Sequence, residues 1–434
     1  MNYKVAITVR YKLYSRKNID QIPQLKNLSK ELLAGIKTVS TVLPFRVNNY
    51  VADQLIDWDN IPDDPIYQLT FPQPGMLERQ DFERIRNLLG NNASKENIHN
   101  AAREIQMNLN PHPAGQMDLN VPKESGKTLN GIQHKYNETI LFFPAQGQTC
   151  HAYCTYCFRW AQFIGLEHIR FASSNTDVLV DYLQNHPEVT DVLFTGGDPL
   201  FMQAKILRRY IEPLMKIRPG NLSTIRIGTK VPAYWPYRFL TDNDADDLMR
   251  LFEEVVGSGL HLSIMSHFTH YRELETPVTQ AAIKRILNTG AVVRCQTPLV
   301  RHVNDNPAIW VKMWKNQVKL GTIPYYMFVV RNTGSKEYFK ISLARAFNIF
   351  TEAYKQISGL CRTVRGPSMS ANPGKVMIDG ITEINGEKLF ALKFIQARNM
   401  DWTNQIFFAR YDEKACWLKE LKPAFGEKEF FFNQ

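Results

Sequence analysis

The 434-residue chain has few cysteines and no long apolar run. Six cysteines, three of them close together, do not form the pattern of a disulfide framework in a chain of this length. No stretch of about 18 apolar residues occurs, so no transmembrane helix is predicted. The first residues, MNYKVAITVRYKLYSRK, lack the apolar core of a signal peptide. These absences predict a cytoplasmic protein.

Acidic residues are also in deficit. The chain has 42 Asp and Glu against 52 Lys and Arg, a net charge of +10. A nucleic-acid surface would concentrate its cations, yet no basic run exceeds a pair such as Arg208 and Arg209. We therefore expect a solvated basic surface that attracts small anions. A non-catalytic iron–sulfur or zinc protein that binds nucleic acid remains an alternative.

Three cysteines stand close together in the stretch QGQTCHAYCTYCFRWAQF, residues 146–163. Cys150, Cys154 and Cys157 form a C-x3-C-x2-C pattern after a short apolar run at 139–143. Thiolates are soft ligands that bind iron–sulfur clusters or zinc. A closed zinc site needs four protein ligands, and the sequence has no second Cys/His pair at zinc-finger spacing. Because iron–sulfur clusters usually take four cysteines, three indicate a four-iron cluster with one open iron. Zinc or unrelated thiols remain alternatives.

The same pattern, with the aromatic Tyr156 just before the third cysteine, resembles the signature of the radical S-adenosylmethionine (SAM) enzymes. In that family, SAM chelates the open iron through its amino and carboxylate groups. Other segments resemble one branch, the lysine 2,3-aminomutases. These are the Asp- and Pro-rich stretch at 50–77, GIQHKYNETILFF at 131–143, TGGDPLF at 195–201, IRIGTKVP at 225–232 and CQTPLVRHVND at 295–305.

From residue 139 onward, short apolar stretches alternate with helical patterns. Strands are predicted at 139–143, 191–195, 224–228, 261–266, 291–296 and 325–330, and helices at 202–217, 245–256, 278–287 and 307–320. This alternation indicates an α/β fold with a parallel sheet. Six units fit an open, partial (βα)6 barrel, the radical-SAM architecture. Residues 1–130 are predicted as an N-terminal helical and irregular arm, 131–360 as the barrel and 361–434 as a C-terminal extension. In the arm, helices are predicted at 25–39 and 79–89, and 50–77 is predicted as extended loop.

Glycine and polar residues follow these predicted strands. Gly196, Gly197 and Asp198 form a G-G-D sequence that on its own predicts only a turn. The resemblance implies that it is the family's GGD motif, whose backbone meets the amino end of SAM. A histidine such as His267 more often belongs to a core or loop. The resemblance nevertheless implies SAM contacts for three further residues, Thr229, His267 and Gln296.

Lys375 follows Pro373 and Gly374 in the turn-rich segment RTVRGPSMSANPGKVMIDGI, residues 362–381. A lysine there is usually a surface residue. The lysine 2,3-aminomutases, however, carry their pyridoxal phosphate (PLP) on a lysine in a corresponding PGGGGK turn. The resemblance implies that Lys375 holds PLP as a Schiff base. Lys135 and Tyr136 correspond to an Arg-Tyr pair near the pyridoxal ring of the family.

Three residues are predicted to bind substrate. The resemblance implies that Arg159 holds the α-carboxylate, which a guanidinium fork suits through two parallel hydrogen bonds. In lysine-specific members two aspartates hold the distal ammonium, and here Arg331 and Ser368 stand at those positions. An ammonium beside Arg331 would be strongly unfavourable, so an acidic amino acid is expected. The alternative is that Arg331 pairs with an acid such as Glu337 and the substrate is neutral.

The resemblance therefore implies an isomerase that moves an α-amino group to the β-carbon. An electron delivered to the [4Fe-4S] cluster cleaves SAM, the resulting radical removes a β-hydrogen, and PLP receives the migrating nitrogen. Glutamate is the expected substrate, with aspartate second. Lysine, a neutral amino acid, or a radical SAM reaction without PLP are the alternatives. A flavodoxin or ferredoxin is the expected electron donor, and a homo-oligomer is expected.

Overall fold

A mixed sheet of eleven strands forms the centre of the protein, and helices cover it. The computed structural model describes residues 9–111, 116–117, 119–124, 126–165 and 171–433. The middle strands of the sheet are parallel, and strands at both flanks are antiparallel. Among the described helices, none combines the length and apolar character needed to cross a bilayer.

The N-terminal arm contains a small two-stranded sheet and helices. Strand β1 (Leu13–Ser15) pairs antiparallel with β2 (Arg46–Asn48). The helices are α1 (Lys30–Val39), α2 (Pro65–Thr70), α3 (Arg79–Gly90) and α4 (Lys95–Asn108). Helices α1 and α3 confirm two predicted helices. Helix α4 was not predicted, because alanines and a glutamine make up most of its buried face.

The predicted extended loop at 50–77 is wrong in part, since α2 lies within it. The Asp-Pro dipeptide that suggested a loop is a helix start. The carboxylate of Asp64 accepts hydrogen bonds from the backbone N–H groups of Ile66 and Tyr67, at 2.9 and 2.7 Å. Pro65 occupies the first helical position, where its missing N–H costs nothing.

All six predicted barrel strands are present. After the two-residue strands β3 (Lys123–Glu124) and β4 (Lys127–Thr128), β5 (Ile132–Tyr136) pairs antiparallel with the first barrel strand. The barrel strands are β6 (Thr139–Phe142), β7 (Asp191–Phe194), β8 (Thr224–Thr229), β9 (His261–Ser266), β10 (Val292–Leu299) and β11 (Ile323–Val329). Each pairs in parallel with the next in chain order. The open, partial (βα)6 barrel is confirmed.

Helices follow the barrel strands and connect each of them to the next parallel strand of the sheet, as parallel pairing requires. They are α5 (Asp177–Asn185), α6 (Ala204–Ile217), α7 (Val231–Tyr234), α8 (Ala245–Gly257), α9 (Pro277–Asn288), α10 (Pro307–Lys319), α11 (Lys336–Phe339) and α12 (Leu343–Lys355). Helices α6, α8, α9 and α10 confirm the four predicted there. Helix α5 was missed because its nine residues are too few to display a clear period.

The pleat of the barrel strands separates the core from the barrel interior. In β8 the side chains of Ile225 and Ile227 are fully buried in the hydrophobic core. The alternate residues Arg226 and Gly228 line an internal cavity. Successive side chains in a strand point to opposite faces, so every second residue of such a strand is available for the cavity.

The C-terminal extension continues the same sheet. Strand β12 (Arg365–Ser370) is parallel to β11, and β13 (Gly374–Ile384), β14 (Glu387–Ala397) and β15 (Ile406–Arg410) follow in antiparallel order. The expectation that Lys375 lies in a turn needs correction, because it is the second residue of β13. The turn precedes it, and the aromatic C-terminal tail packs on these strands in a second core.

Candidate active site

One cavity of about 320 Å³ opens inside the barrel. It is lined by residues from the carboxyl ends of the barrel strands, by the loop after β6 and by the start of β13. Fourteen of the residues predicted from the sequence line it: Tyr136, Cys150, Cys154, Tyr156, Cys157, Arg159, Gly196, Gly197, Asp198, Thr229, His267, Gln296, Arg331 and Lys375. Lys135 and Ser368 are the two predicted residues that do not.

The N-terminal arm holds the loop that carries the three cysteines, here called the cysteine loop (residues 149–160). Nη1 of Arg46 donates a hydrogen bond to the carbonyl of Cys150 at 3.2 Å. The backbone N–H of Tyr153 donates to the carbonyl of Arg46 at 2.8 Å, and that of Thr155 donates to Leu69 at 3.0 Å. These bonds satisfy backbone groups that an irregular loop would otherwise leave unpaired.

The three thiols lie close together, and neighbouring cysteines contribute to the raised pKa values of Cys150 and Cys157. Burial, with a smaller effect of Cys154, raises the pKa of Cys157 to about 12. Burial likewise raises the pKa of Cys150 and of Cys154. Buried thiols with raised pKa values ionise readily only when a metal centre neutralises the thiolates. This donor set fits an iron–sulfur cluster.

The three thiols are not spaced to coordinate a single metal ion. Among the described His, Cys, Asp and Glu side chains, no group of three is arranged to hold one metal ion. Thiolates around a four-iron cluster bind different irons, so they need not converge on one point. One of the thiols also contacts a hydroxyl group: the OH of Tyr234 lies 3.4 Å from Sγ of Cys154, within hydrogen-bond distance.

The two glycines of the GGD sequence lie against the start of the cysteine loop. A Cβ atom on Gly197 would stand 2.3 Å from the backbone nitrogen of Thr149, and one on Gly196 would meet the Gln148 side chain. Gly196 also has φ of +137°, which disfavours a larger residue. The glycines therefore allow the second barrel loop to contact the cysteine loop directly.

Asp198 joins the loops after β7 and β8. Its carboxylate accepts hydrogen bonds from Thr229 Oγ1 at 2.8 and 2.9 Å and from the backbone N–H of Lys230 at 2.7 Å. Burial raises the pKa of Asp198 to about 6, against the lowering effect of these donors. The carboxylate thereby orients Thr229 at the edge of the cavity.

His267 and Gln296 form a neutral pair on the next two strands. The Nε2 atoms of the two side chains are 3.1 Å apart. Burial, with a smaller effect of Lys230, lowers the pKa of His267 to about 3, so the ring is uncharged near neutral pH. A neutral imidazole and an amide can each donate and accept hydrogen bonds, which suits contact with a polar cofactor.

Lys375 has the environment that a Schiff-base lysine needs. Its Nζ donates a hydrogen bond to Gln396 at 2.8 Å and lies 4.3 Å from the ring centroid of Tyr326. Burial, followed by the charges of Arg226 and Arg365, lowers the pKa of Lys375 to about 7. A large neutral fraction at physiological pH is what addition to an aldehyde requires. The site therefore fits PLP.

Arg159 and Arg331 face the cavity without a carboxylate partner among the described residues. Nη1 of Arg159 is buried and makes no hydrogen bond to any described atom. Burial and the charge of Arg331 lower the pKa of Arg159 to about 9. Nη2 of Arg331 donates a hydrogen bond to Ser370 at 2.8 Å. Two such cations predict a bound anion.

Two expectations about the substrate region need correction. Ser368 is fully buried, and its hydroxyl donates to the carbonyl of Met327, so Ser370 is the serine that reaches the cavity. Glu337 is not the partner of Arg331, because it pairs with Lys340 at 2.6 Å. Lys135 lies just outside the cavity lining and donates a hydrogen bond to the carbonyl of Ala371.

A buried ion pair near the cysteines was missed from the sequence. Nζ of Lys230 lies 2.7 Å from the carboxylate of Glu273, which has no solvent exposure. Lys230 also donates to the carbonyl of His267 at 3.1 Å and sits 4.5 Å from the ring centroid of Tyr234. In the sequence, only the position of Lys230 directly after Thr229 indicated that it lies near the site. The ion pair itself could not be predicted, because Glu273 is 43 residues away and the two residues form no local sequence pattern.

Comparison with known proteins gives L-lysine 2,3-aminomutases among the sequence relatives. No family model matches the chain. A putative L-lysine 2,3-aminomutase from Aquifex aeolicus is 28% identical over 95% of this chain and 96% of its own length. An L-lysine 2,3-aminomutase from Acetoanaerobium sticklandii is 26% identical over 81% of this chain and 73% of its own length.

Solved structures with a similar arrangement are more distant. SuiB from Streptococcus suis, bound to its precursor peptide SuiA, has a TM-score of 0.36 and 12% identity over 61% of this chain and 53% of its own. The radical SAM methyltransferase TsrM from Kitasatospora setae, with tryptophan and a SAM analogue bound, has a TM-score of 0.30 and 10% identity over 44% and 36%.

The sequence similarity extends along almost the full length of both chains. Lysine 2,3-aminomutases use a [4Fe-4S] cluster, SAM and PLP, and one cavity of this chain is lined by the three thiols, the GGD glycines and Lys375, the groups that the resemblance assigns to these cofactors. The chain is therefore an aminomutase, and it is similar to the L-lysine 2,3-aminomutases along almost its full length.

Proposed function

We propose that this protein is a PLP-dependent 2,3-aminomutase for an acidic α-amino acid, glutamate first and aspartate second. The observation that carries the proposal is the pair of arginines, buried Arg159 and half-buried Arg331, in the cavity that also holds Lys375. Each arginine needs an anion, and an amino acid with two carboxylates supplies both.

The charges that line the cavity favour an anionic substrate. Asp198 is the only carboxylate among the described lining residues, and it is already engaged by Thr229 and the backbone. Of the lining cations, Arg226 pairs with Asp191 at 2.7 Å and Lys230 pairs with Glu273. The charges of Arg159 and Arg331 are therefore left for ligands.

The two arginines have different surroundings, which suggests different tasks. Arg159 lies in the cysteine loop, beside the cluster ligands, with its guanidinium 4.3 Å from the ring centroid of Phe143. There it binds the α-carboxylate. Arg331 lies at the end of β11, and its hydrogen bond to Ser370 orients it towards the cavity. There it binds the distal carboxylate through two parallel hydrogen bonds.

The chain's own residues position the cofactors and protect the reaction. When bound, the cluster and SAM supply the radical that removes a β-hydrogen, and PLP supplies the π-bond through which the nitrogen migrates. Lys375 provides a neutral amine as the attachment point, with Tyr326 beside it. The barrel walls enclose the cavity, which limits side reactions of a radical with groups from outside.

Lysine is the second candidate, because relatives of this chain are L-lysine 2,3-aminomutases. Its ammonium group would have to lie near the guanidinium of Arg331. Like charges a few ångströms apart in a buried site repel by several kcal/mol or more, so lysine would need a carboxylate that the described lining residues lack.

Anaerobic reconstitution with iron, sulfide, SAM and PLP, followed by a panel of amino acids scored for β-isomers, tests the proposal. We expect β-glutamate as the main product, with β-aspartate formed more slowly. Conversion of lysine with glutamate left unchanged would overturn the assignment of substrate. Failure to cleave SAM after reduction would overturn the radical reaction itself.

A further inference from the structure

A cationic segment at the N-terminal end of the described chain lies beside the cysteine loop. Residues 9–18, VRYKLYSRKN, contain four cations and no acid, and we call them the basic segment. All four cations are exposed: Arg10, Lys12, Arg16 and Lys17. Among the described residues, no carboxylate lies within ion-pair distance of any of them. The next acid along the chain, Asp20, is bound to Lys37 at 2.7 Å.

Hydrogen bonds join the basic segment to the cysteine loop both directly and through strand β2. The hydroxyl of Tyr11 donates to the carbonyl of His151, the residue after Cys150, at 3.1 Å. Strand β1 pairs with β2, which contains Arg46. The guanidinium of Arg46 donates a hydrogen bond to the carbonyl of Cys150, and its own carbonyl accepts one from the backbone N–H of Tyr153. With neighbouring strands about 5 Å apart, β1 lies roughly 10 Å from the loop.

The segment also offers an open strand edge. In the described part of the chain β1 pairs only with β2, so its other edge is unpaired, and cations flank the strand: Lys12 precedes it, and Arg16 and Lys17 follow it. Charged side chains on an edge strand discourage pairing with another strand. What they favour is a contact with a surface of opposite charge, which needs no backbone pairing.

We propose that the basic segment is the docking surface for an acidic one-electron carrier protein that reduces the cluster. The inference rests on the proposed function only in that the cluster must receive an electron from outside. One electron passes from the carrier, which is oxidised, to the cluster, which is reduced, and no covalent bond forms or breaks. Unpaired cations beside the cysteine loop attract a negatively charged carrier to the part of the surface that lies next to the cluster ligands.

The test measures cluster reduction in the reconstituted enzyme by stopped-flow absorbance. The reductants are a flavodoxin of net negative charge, in its hydroquinone form, and dithionite. We expect the variant R10E/K12E/R16E/K17E to react with flavodoxin about ten- to a hundredfold more slowly at low salt and to lose its salt dependence. Reduction by dithionite, which needs no protein docking, stays within twofold of the wild type.

A second variant separates local docking from net charge. K414E/K419E/K422E/K428E makes the same change in net charge at four exposed lysines of the C-terminal segment, which no described contact joins to the cysteine loop. We expect it to react with flavodoxin at the wild-type rate. An equal loss in both variants would overturn the proposal, and so would an unchanged rate in the first variant.

Two further outcomes also decide against the proposal. If dithionite reduction of the first variant falls as much as flavodoxin reduction, the segment supports the loop and does not dock a carrier. If the first variant loses duplex-DNA binding that the wild type shows at the same salt, and keeps its flavodoxin rate, the surface binds nucleic acid. Turnover of glutamate with dithionite as reductant tests the proposed function separately.

Discussion

Arg159 and Arg331 lie over the same aromatic ring. Their guanidinium carbons stand 5.0 and 4.4 Å from the ring centroid of Phe158. The charge of Arg331 contributes to the lowered pKa of Arg159, so the two cations repel each other. Such a pair becomes favourable when an anion bridges it. The dicarboxylate substrate proposed above would relieve this repulsion on binding.

Replacing Arg331 by Asp should abolish glutamate turnover. The substituted carboxylate repels the distal carboxylate of the substrate in a buried site, and we expect kcat/KM to fall by a factor of roughly a hundred or more. The absorbance of the cluster should not change. Arg331→Lys keeps a cation but loses the fork, so it should retain part of the activity. Full activity of Arg331→Asp on glutamate would rule out this contact.

PLP loading should depend on pH through the amine of Lys375. The pKa of this lysine is lowered to about 7, and only the neutral amine attacks an aldehyde. The rate of PLP incorporation into the apoenzyme should therefore be nearly constant above pH 7 and fall about tenfold per unit well below it. Absorbance of the bound cofactor measures this rate.

The variants of this lysine give a second measurement. Lys375→Ala should not develop the absorbance of the Schiff base, whereas Lys388→Ala, at an exposed lysine of the neighbouring strand β14, should load normally. A PLP signal that survives in Lys375→Ala with wild-type intensity would show that another amine holds the cofactor.

Gly197→Ala should disturb the cluster more than the fold. The added methyl group would stand 2.3 Å from the backbone nitrogen of Thr149, so the cysteine loop must move. We expect a loss of stability of about 1–3 kcal/mol and a lower iron and sulfide content after reconstitution. Gly257→Ala is the matched control, since nothing lies within 4 Å of its Cβ position. Equal iron content in both variants would contradict the expected displacement.

Tyr234→Phe should make the cluster harder to reduce. The hydroxyl of Tyr234 lies 3.4 Å from Sγ of Cys154, and a hydrogen bond to a cluster sulfur stabilises the more negative, reduced state. Removing it should lower the midpoint potential, measured by redox titration with EPR detection. Tyr237→Phe removes a hydroxyl that bonds to Gln54 instead, so its potential should match the wild type. Identical potentials in all three proteins would exclude this hydrogen bond as a determinant.

Local patterns in the sequence predicted the barrel strands and the three clustered cysteines, and the family resemblance supplied most of the other cavity residues. Strand periodicity and the cysteine spacing are short-range features, and each barrel strand carries its ligand residue at its own carboxyl end. The placement of Cys150, Gly197, His267 and Lys375 around one cavity follows from that rule together with the family resemblance. Arg331 was also evident in the sequence, because a cation occupies a position where an acid was expected.

Long-range contacts decided what the sequence did not predict. The carboxamide of Asn48 bonds to the carbonyls of His151 and Tyr234, residues more than a hundred positions away, and thereby joins the arm to the cysteine loop. The choice of Ser370 over Ser368 depends on which serine the β12–β13 pairing brings to the cavity. The sequence by itself thus determined the barrel and the chemistry of its ligands. The tertiary structure decided which cations keep a free charge, because pairing with a distant carboxylate depends on chain packing, which has no local periodicity.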